Sequence, residues 1–278
     1  MYLSNLQQDD LFVKSEVRSM ESLTGLPSRK GLENAILSNG KLVNVVSSRY
    51  GHIPNELFFG KAKQKLEEAG LKFQMQSTNR QDRCFSLDFI IDNENQFTVK
   101  HPKDKILPML RFTNSYDGTE KTSGHFGFFR EICSNGLHIA QSNIQFSIRH
   151  TKKGVDLYMP KLNELFSKFM DNEYYTIQSK FNKLMEIKIL DTKSFVKDIL
   201  EETKLFRYEC SDKNPEPSKK SREVLEILNN ESIILGQDPN LWIGYNAFNA
   251  ILHKTLKKGF SQQRKADKFL FDKVYQMV

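Results

Sequence analysis

Two short stretches of the chain hold the residues best suited to chemistry. The first, TNSYDGTEKTSGHFGFFREICSNG (residues 113–136), joins a polar turn to an aromatic strand and ends in Ser-Asn-Gly. The second, IRHTKKG (residues 148–154), places Arg149, His150, Lys152 and Lys153 within five residues. Cations neutralise a phosphate backbone and aromatic rings stack on bases, so these stretches together indicate a surface for nucleic acid.

The predicted interface takes its cations and rings from both stretches and from the strand that precedes them. Basic side chains supply the phosphate contacts, and aromatic side chains supply stacking surfaces beside them. The predicted phosphate contacts are Arg111, Lys121, Arg130, Arg149, Lys152 and Lys153, the predicted stacking surfaces are Tyr116, His125 and Phe129, and His150 lies among them.

Both stretches also have a purely structural interpretation. Asn, Asp and Gly satisfy turn geometry, so residues 114–118 are typical of a hairpin turn. Basic residues at a strand end discourage edge pairing. Asn114, however, shares a face with the apolar residues of its strand, and Arg130 is in phase with the phenylalanines of the next. A buried amide and a buried guanidinium need partners, so the alternation predicts a satisfied polar network or a lined pocket.

The sequence carries none of the motifs that mark common enzyme classes. No Walker A, GxGxxG, HExxH or GxSxG motif occurs, and no cofactor is predicted. The three cysteines are far apart and the acids near the turn are few, so no metal site is predicted. An enzyme acting on a nucleotide or phosphodiester is the competing hypothesis, with a polar pocket gathering Asn114, Asp117, His125, Arg130 and His150.

Net charge and hydropathy limit the kinds of partner that we expect for this chain. The net charge is +7, and residues 245–278 hold seven basic and two acidic residues, which gives +5 of that total. Such a balance suits a polyanion. No apolar run approaches the length of a membrane span and the N-terminus lacks a secretory pattern, so we expect no membrane partner and a cytoplasmic location in a bacterial host cell.

The periodicity of the chain predicts the elements that position these residues. Residues 1–40 are polar and broken by glycine and proline, which predicts a loosely structured arm with a short helix around 30–38. Residues 41–159 predict a helix and an antiparallel sheet, with Asn135-Gly136 as the strongest hairpin signal. Residues 160–278 predict helices, interrupted by an exposed loop at 210–221. The fold class is therefore α+β.

Four motifs together resemble a known family. They are FTNSYDG, GFFREICSNG, the IRHT strand end, and WIGYNAFNAILH followed by Arg264 and Asp267. They look like the phage/plasmid-like proteins of a domain-of-unknown-function family, found in bacteriophages and conjugative plasmids. The resemblance covers residues 41–278. Its signature positions are Asn114, Asp117, Gly118, Gly127, Phe128, Arg130, Cys133, Asn135, Gly136, His150, Trp242, Asn246 and His253.

The resemblance implies a mobile-element origin and attaches no catalytic role to any signature position. In outline, a helix with an antiparallel sheet is also similar to the Rad52-like single-strand annealing proteins of phages. We therefore expect a nucleic-acid-binding protein of a phage or plasmid, rather than an enzyme, that binds single-stranded DNA in recombination or replication. Annealing proteins commonly form rings, so a homo-oligomer is a further expectation. A host-takeover or anti-defence protein that binds another protein is the third hypothesis.

Overall fold

Separated stretches of the chain build the fold. The structure, a computed structural model, describes residues 14–80, 83–92, 103–130, 135–137, 144–171, 175–211, 214–255 and 260–278. Two compact units result: unit 1 comprises Met1–Asn93, Pro108–Phe126 and Gln141–Asp171, and unit 2 comprises Glu94–Leu107, Gly127–Ala140 and Asn172–Val278. These units do not coincide with the three consecutive segments drawn from the sequence. The predicted α+β class is confirmed.

A three-stranded antiparallel sheet in unit 1 contains β1 (Ser15–Ser19), β2 (Asn34–Ser38) and β3 (Lys41–Val46), with the one-turn helix α1 (Met20–Thr24) between β1 and β2. Residues 39 and 40, Asn-Gly, join β2 to β3 with positive φ at both positions, as a tight hairpin turn requires. The helix predicted around 30–38 was wrong. Ala35 and Ile36 are fully buried on opposite faces of β2, and a short apolar run covered on both faces has no periodicity that separates strand from helix.

The larger sheet has six strands in the order β4-β5-β6-β7-β8, with β9 paired to β7 as well. Almost every residue of β5 and β6 is buried, including polar residues such as Ser86, Asp88 and Thr113. The strands are β4 (Phe73–Arg80), β5 (Cys84–Ile91), β6 (Ile106–Ser115), β7 (Thr122–Arg130), β8 (Asn135–Leu137) and β9 (Gln145–Ile148).

Two helices complete unit 1. Helix α2 (Asn55–Glu68) follows Pro54, and α3 (Lys152–Met170) is capped by a threonine hydroxyl at its start. Phe58 of α2 lies edge-on to Phe112 of the sheet, with ring centroids 5.7 Å apart, and Phe166 of α3 stacks on Phe112 at 6.2 Å. Aromatic packing therefore joins both helices to the sheet.

Unit 2 is mostly helical. Its central helix is α7, in which residues 241–250 are all buried. Phe181 and Trp242 pack with centroids 4.6 Å apart, and Phe181 lies edge-on to Phe271 at 5.9 Å. The elements are α4 (Tyr175–Glu186), α5 (Thr192–Thr203), β10 (Glu209–Ser211), β11 (Asn214–Pro217), α6 (Lys219–Leu235), α7 (Leu241–Thr255) and α8 (Phe260–Tyr275).

Two loop predictions differ from the structure. Asn135-Gly136 lies inside β8, where Asn135 pairs with Arg130, instead of in a turn. Residues 210–221 contain an antiparallel hairpin, β10–β11, and the start of α6. Backbone pairing between short polar strands leaves no hydrophobic alternation for the sequence to show. No helix in the described ranges has both the length and the apolar character needed to cross a bilayer.

Candidate functional site

Exposed cations gather in unit 1 where β7, β9 and α3 meet. Thr122 of β7 pairs with Ile148 of β9, so Lys121 and Arg149 leave the paired strands side by side. Three residues further on, α3 begins with Lys152 and Lys153. All four side chains are exposed, and none forms an ion pair with a carboxylate of the described residues. The structure thus groups four of the predicted phosphate contacts.

Arg49 extends this group, although it was not selected from the sequence. Tyr50 forms an isolated antiparallel bridge with Thr151, which brings the preceding Arg49 alongside Lys152. Arg49 is exposed. Gly51 makes this approach possible, because a Cβ there would lie 2.1 Å from the carbonyl oxygen of Thr151. We name the five cations the basic edge: Arg49, Lys121, Arg149, Lys152 and Lys153.

A stacked ring pair lies within the basic edge. The Tyr50 and His150 rings are nearly parallel, at 6°, with centroids 5.1 Å apart, and both side chains are half-buried. Tyr50 donates from its hydroxyl to the Ser115 carbonyl at 3.2 Å, and His150 Nε2 donates to the Glu120 carbonyl at 3.1 Å. The β6–β7 turn therefore fixes both rings.

Burial keeps both rings uncharged near neutral pH. It raises the pKa of the Tyr50 hydroxyl above its usual value. It also lowers the pKa of His150, and the hydrogen bonds to backbone carbonyls and the charge of Asp117 oppose this only in part. The positive charge at this place therefore comes from the arginines and lysines around the rings.

The predicted polar turn is present, and Asn114 has the buried partners that its position required. Asn114 is fully buried, and its Nδ2 donates to the Ile53 carbonyl at 2.8 Å and to Asn55 Oδ1 at 2.9 Å. Its Oδ1 accepts from Thr122 Oγ1 at 2.8 Å. Asp117 accepts from the backbone and hydroxyl of Thr119, so it shapes the turn. The predicted satisfied polar network is confirmed for Asn114.

A serine–histidine contact lies deeper in unit 1. Ser15 Oγ is 2.9 Å from His52 Nε2 and donates to the Tyr116 hydroxyl at 3.0 Å, which also accepts from the Asn55 backbone at 2.9 Å. Such a pair is the first component of nucleophilic catalysis when a third group orients the base. No described group hydrogen-bonds His52 Nδ1, and Ser15 is buried. The cluster ties β1, the start of α2 and β6 together.

Arg130 belongs to a buried ion network in unit 2. Its Nε and Nη2 donate to the two carboxylate oxygens of Asp104 at 2.7 and 2.8 Å, and Nη1 donates to Glu231 at 2.6 Å. Trp242 donates to Asp104 at 2.8 Å, and its ring lies 5.5 Å from the guanidinium carbon. Burial raises the pKa of Glu231, which the Arg130 charge opposes. The expectation of a satisfied network around Arg130 is confirmed.

Burial argues against direct contact with nucleic acid for three predicted residues. Arg130, Tyr116 and His125 are 0%, 1% and 3% exposed, so none offers a face to a ligand. Arg111 is half-buried and forms a two-point ion pair with Asp88, which satisfies its charge. Phe129 is half-buried on the part of β7 that belongs to unit 2.

Four of the five residues that the competing enzyme hypothesis gathers hydrogen-bond to separate partners. Asn114, Asp117 and His150 each have their own partners in unit 1, and Arg130 has its partners in unit 2. The charge of Asp117 acts on His150. No group of three or more His, Cys, Asp or Glu side chains with metal-binding geometry occurs in the described part of the chain.

The comparisons with known proteins place the chain in a family. The model of a domain of unknown function, DUF932, matches residues 42–268. The chain belongs to the DUF932 family. No curated protein and no solved structure matches the chain.

The signature positions of the DUF932 region are largely structural. Asn246 is fully buried and donates to the Trp242 carbonyl at 2.8 Å, and Trp242 itself completes the Arg130 network. Asn135 and His253 lie in β8 and α7, with side chains outside the described set. These positions therefore lie in the core of this chain, whereas the basic edge shares Arg149, in the IRHT strand end, with the motifs that carry the resemblance.

Proposed function

We propose that this chain is a nucleic-acid-binding protein of a phage or plasmid that binds single-stranded DNA through the basic edge of unit 1. The observation that carries the proposal is the grouping of five exposed cations, from three separate parts of the chain, around one stacked ring pair. The arginines and lysines contact the phosphates, and the Tyr50–His150 pair provides the aromatic surface beside them.

Electrostatics favours an anion at this place. The first turn of α3 carries Lys152 and Lys153 and no acidic residue. A helix start attracts negative charge, so placing two cations there adds like charge to the positive end of the dipole. A phosphate chain that passes this edge relieves that repulsion. Four acids also lie near the edge, one fewer than its five cations: Glu33, which accepts from the Ser48 backbone, and Asp117, Glu120 and Asp156.

The aromatic pair favours a single strand over a duplex. Bases of a single strand are free to stack on protein rings, whereas bases inside a duplex are not. Single-strand binding fits a role in recombination or replication of a mobile element, including annealing. A homo-oligomer is part of the proposal, and exposed apolar side chains in unit 2, Leu190 at 97% and Ile233 at 78%, are its candidate contacts. Sedimentation in solution tests the oligomer.

The test is a titration of a fluorescent oligo(dT) strand over a range of salt concentrations. The full chain should bind at low salt, with an affinity that falls as salt rises. The variant carrying Arg149→Gln, Lys152→Gln and Lys153→Gln removes three phosphate contacts, so the slope of log affinity against log salt should flatten by about 2. Its affinity at low salt should fall at least tenfold.

The control variant carries Lys14→Gln, Lys41→Gln and Lys72→Gln. These exposed lysines of unit 1 lie before β1, at the start of β3 and before β4, whereas the basic edge lies where β7, β9 and α3 meet, and the control removes the same charge. It should keep most of the affinity and the native slope. Equal losses of affinity in both variants would show that net charge alone causes the effect. No binding at low salt would reject the proposal.

A further inference from the structure

A pocket in unit 2 lies between the C-terminal end of α5 and the β10–β11 hairpin. Its volume is about 590 Å³, within the range of small-molecule sites. The lining combines two half-buried rings, Phe206 and Tyr208, with three cations, Lys197, Lys204 and Arg207. None of these residues contributes to the basic edge or to the buried ion network.

The start of α6 holds the backbone of the pocket in place. The N-cap residue Ser218 donates from its backbone to the Tyr208 carbonyl at 2.6 Å and from its hydroxyl to the Arg207 carbonyl at 2.9 Å. Ser221 donates to the Tyr208 carbonyl at 2.8 Å. Arg207 and Tyr208, which line the pocket, are therefore hydrogen-bonded to the start of α6, and the pocket is preformed.

Two cations of the pocket are available for an anion. Lys197 lies 4.0 Å from Glu201, whereas Lys204 and Arg207 form no ion pair with any described carboxylate. Lys204 ends α5 with φ of +53°, in the left-handed region that favours glycine. A lysine at this position carries backbone strain, which points to a role for its side chain.

The rings offer a face for a planar group. Phe206 has Lys220 over its ring at 5.6 Å and Phe248 at 6.4 Å. Tyr208 makes no ring contact within the described part of the chain and is half-buried. Glu209, also in the lining, presents carboxylate oxygens that accept from hydroxyl groups.

We propose that this pocket binds a phosphorylated nucleoside, either as a free nucleotide or as one nucleotide of a strand. The base stacks on Tyr208, the phosphate contacts Lys204 and Arg207, and the sugar hydroxyls donate to Glu209. The proposal goes beyond the basic edge and uses residues of unit 2 alone.

The test measures binding of adenosine monophosphate to the full chain by calorimetry, beside adenosine and inorganic phosphate. Adenosine monophosphate should bind at least tenfold more tightly than either part. Lys204→Gly should weaken its binding about tenfold without loss of folding, because glycine suits the left-handed position. Tyr208→Ala should weaken the binding of adenosine and of adenosine monophosphate to the same extent. Lys193→Gln, at the opposite end of α5, is the matched control and should leave the affinity for both ligands unchanged.

The outcomes separate this proposal from the previous one. A 5′-phosphorylated dinucleotide that binds more tightly than adenosine monophosphate assigns the pocket to a strand, and the reverse order assigns it to a free nucleotide. The basic-edge triple variant should keep its affinity for adenosine monophosphate even where it loses affinity for oligo(dT). No binding to wild type at millimolar nucleotide, or unchanged binding in Lys204→Gly and Tyr208→Ala, would overturn the proposal.

Discussion

Arg130 shows how far a single residue can be predicted from its strand phase. Its alternation with phenylalanines required burial, and burial required acidic or amide partners. The identity of those partners could not be predicted, because Asp104 lies 26 positions and Glu231 101 positions away in the chain. Tyr116 was expected on the surface because it lies in the polar turn, and His125 because it alternates with Phe126 and Phe128. They are buried because other parts of unit 1 cover both faces of the strands.

Replacing Arg130 by Met should destabilise the protein strongly. The change leaves the Asp104 and Glu231 carboxylates buried without their cation, and such a loss costs about 3–5 kcal/mol. The measurement is the free energy of unfolding from urea titration. Arg149→Met is the control, because this exposed arginine should shift the free energy by less than about 0.5 kcal/mol. Equal unfolding midpoints for the two variants would contradict the role given to the network.

His52 should make the stability depend on pH. Burial, with a smaller contribution from the His150 charge, lowers the pKa of His52 from 6.5 to about 4. The unfolded chain therefore takes up this proton below pH 6.5, whereas the folded protein takes it up only near pH 4. Stability is lost as pH falls through that window, by at most about 3 kcal/mol.

His52→Gln should flatten the pH dependence of unfolding between pH 7 and 4.5. Glutamine keeps an amide donor for Ser15 and does not titrate. Urea unfolding at both pH values gives the difference for each protein. Ser15→Ala removes the hydrogen bond but leaves the titrating ring, so it should retain most of the native pH dependence. A native slope in His52→Gln would show that other groups cause it.

At the scale of elements, caps and glycines were the most informative signals. Helix α2 begins after Pro54, and the Asp191 carboxylate accepts from two backbone N–H groups at the start of α5, both of which are start signals that a sequence can show. The Asn39-Gly40 dipeptide between two apolar runs is a hairpin signal for β2 and β3. The polar residues before it, broken by glycine and proline, favour a loosely structured arm instead.

Gly124 is required where β7 lies beneath two rings. A Cβ at this position would come within 2.6 Å of Phe146 and 2.8 Å of Phe112. Gly124→Ala should therefore lower the free energy of unfolding by about 1–3 kcal/mol, because the packed core cannot move aside freely. Thermal or urea unfolding measures the change.

Gly60 gives the matched control. It lies inside α2, where nothing lies within 4 Å of an added Cβ. Gly60→Ala should raise the free energy of unfolding by about 0.5–1 kcal/mol, because alanine favours the helix. Opposite signs for the same substitution are the expected result. A stabilising Gly124→Ala would show that the rings adjust at little cost.

At the scale of the whole molecule, the order of elements was predictable and their grouping was not. Strands followed by helices indicated the α+β class, and the structure confirms this class. Unit 2, however, contains two stretches from the strand-rich half, Glu94–Leu107 and Gly127–Ala140. Contacts of long sequence separation decide such grouping, and a single sequence carries no local signal for them. The same limit applies to the basic edge, where a bridge to Tyr50 adds Arg49.

This grouping predicts that residues 172–278 will not fold cooperatively on their own. The fragment contains Glu231 and Trp242 but lacks Asp104 and Arg130, so the buried carboxylate and the indole lose their partners. Isolated helices without a completed core are marginal in water. Circular dichroism should show reduced helix, and urea titration followed by Trp242 fluorescence should show a broad change. The full chain, carrying the same single tryptophan, should give a sharp transition. A sharp transition in the fragment would mean that the helices form a core without the ion network, and Arg130→Met should then cost little.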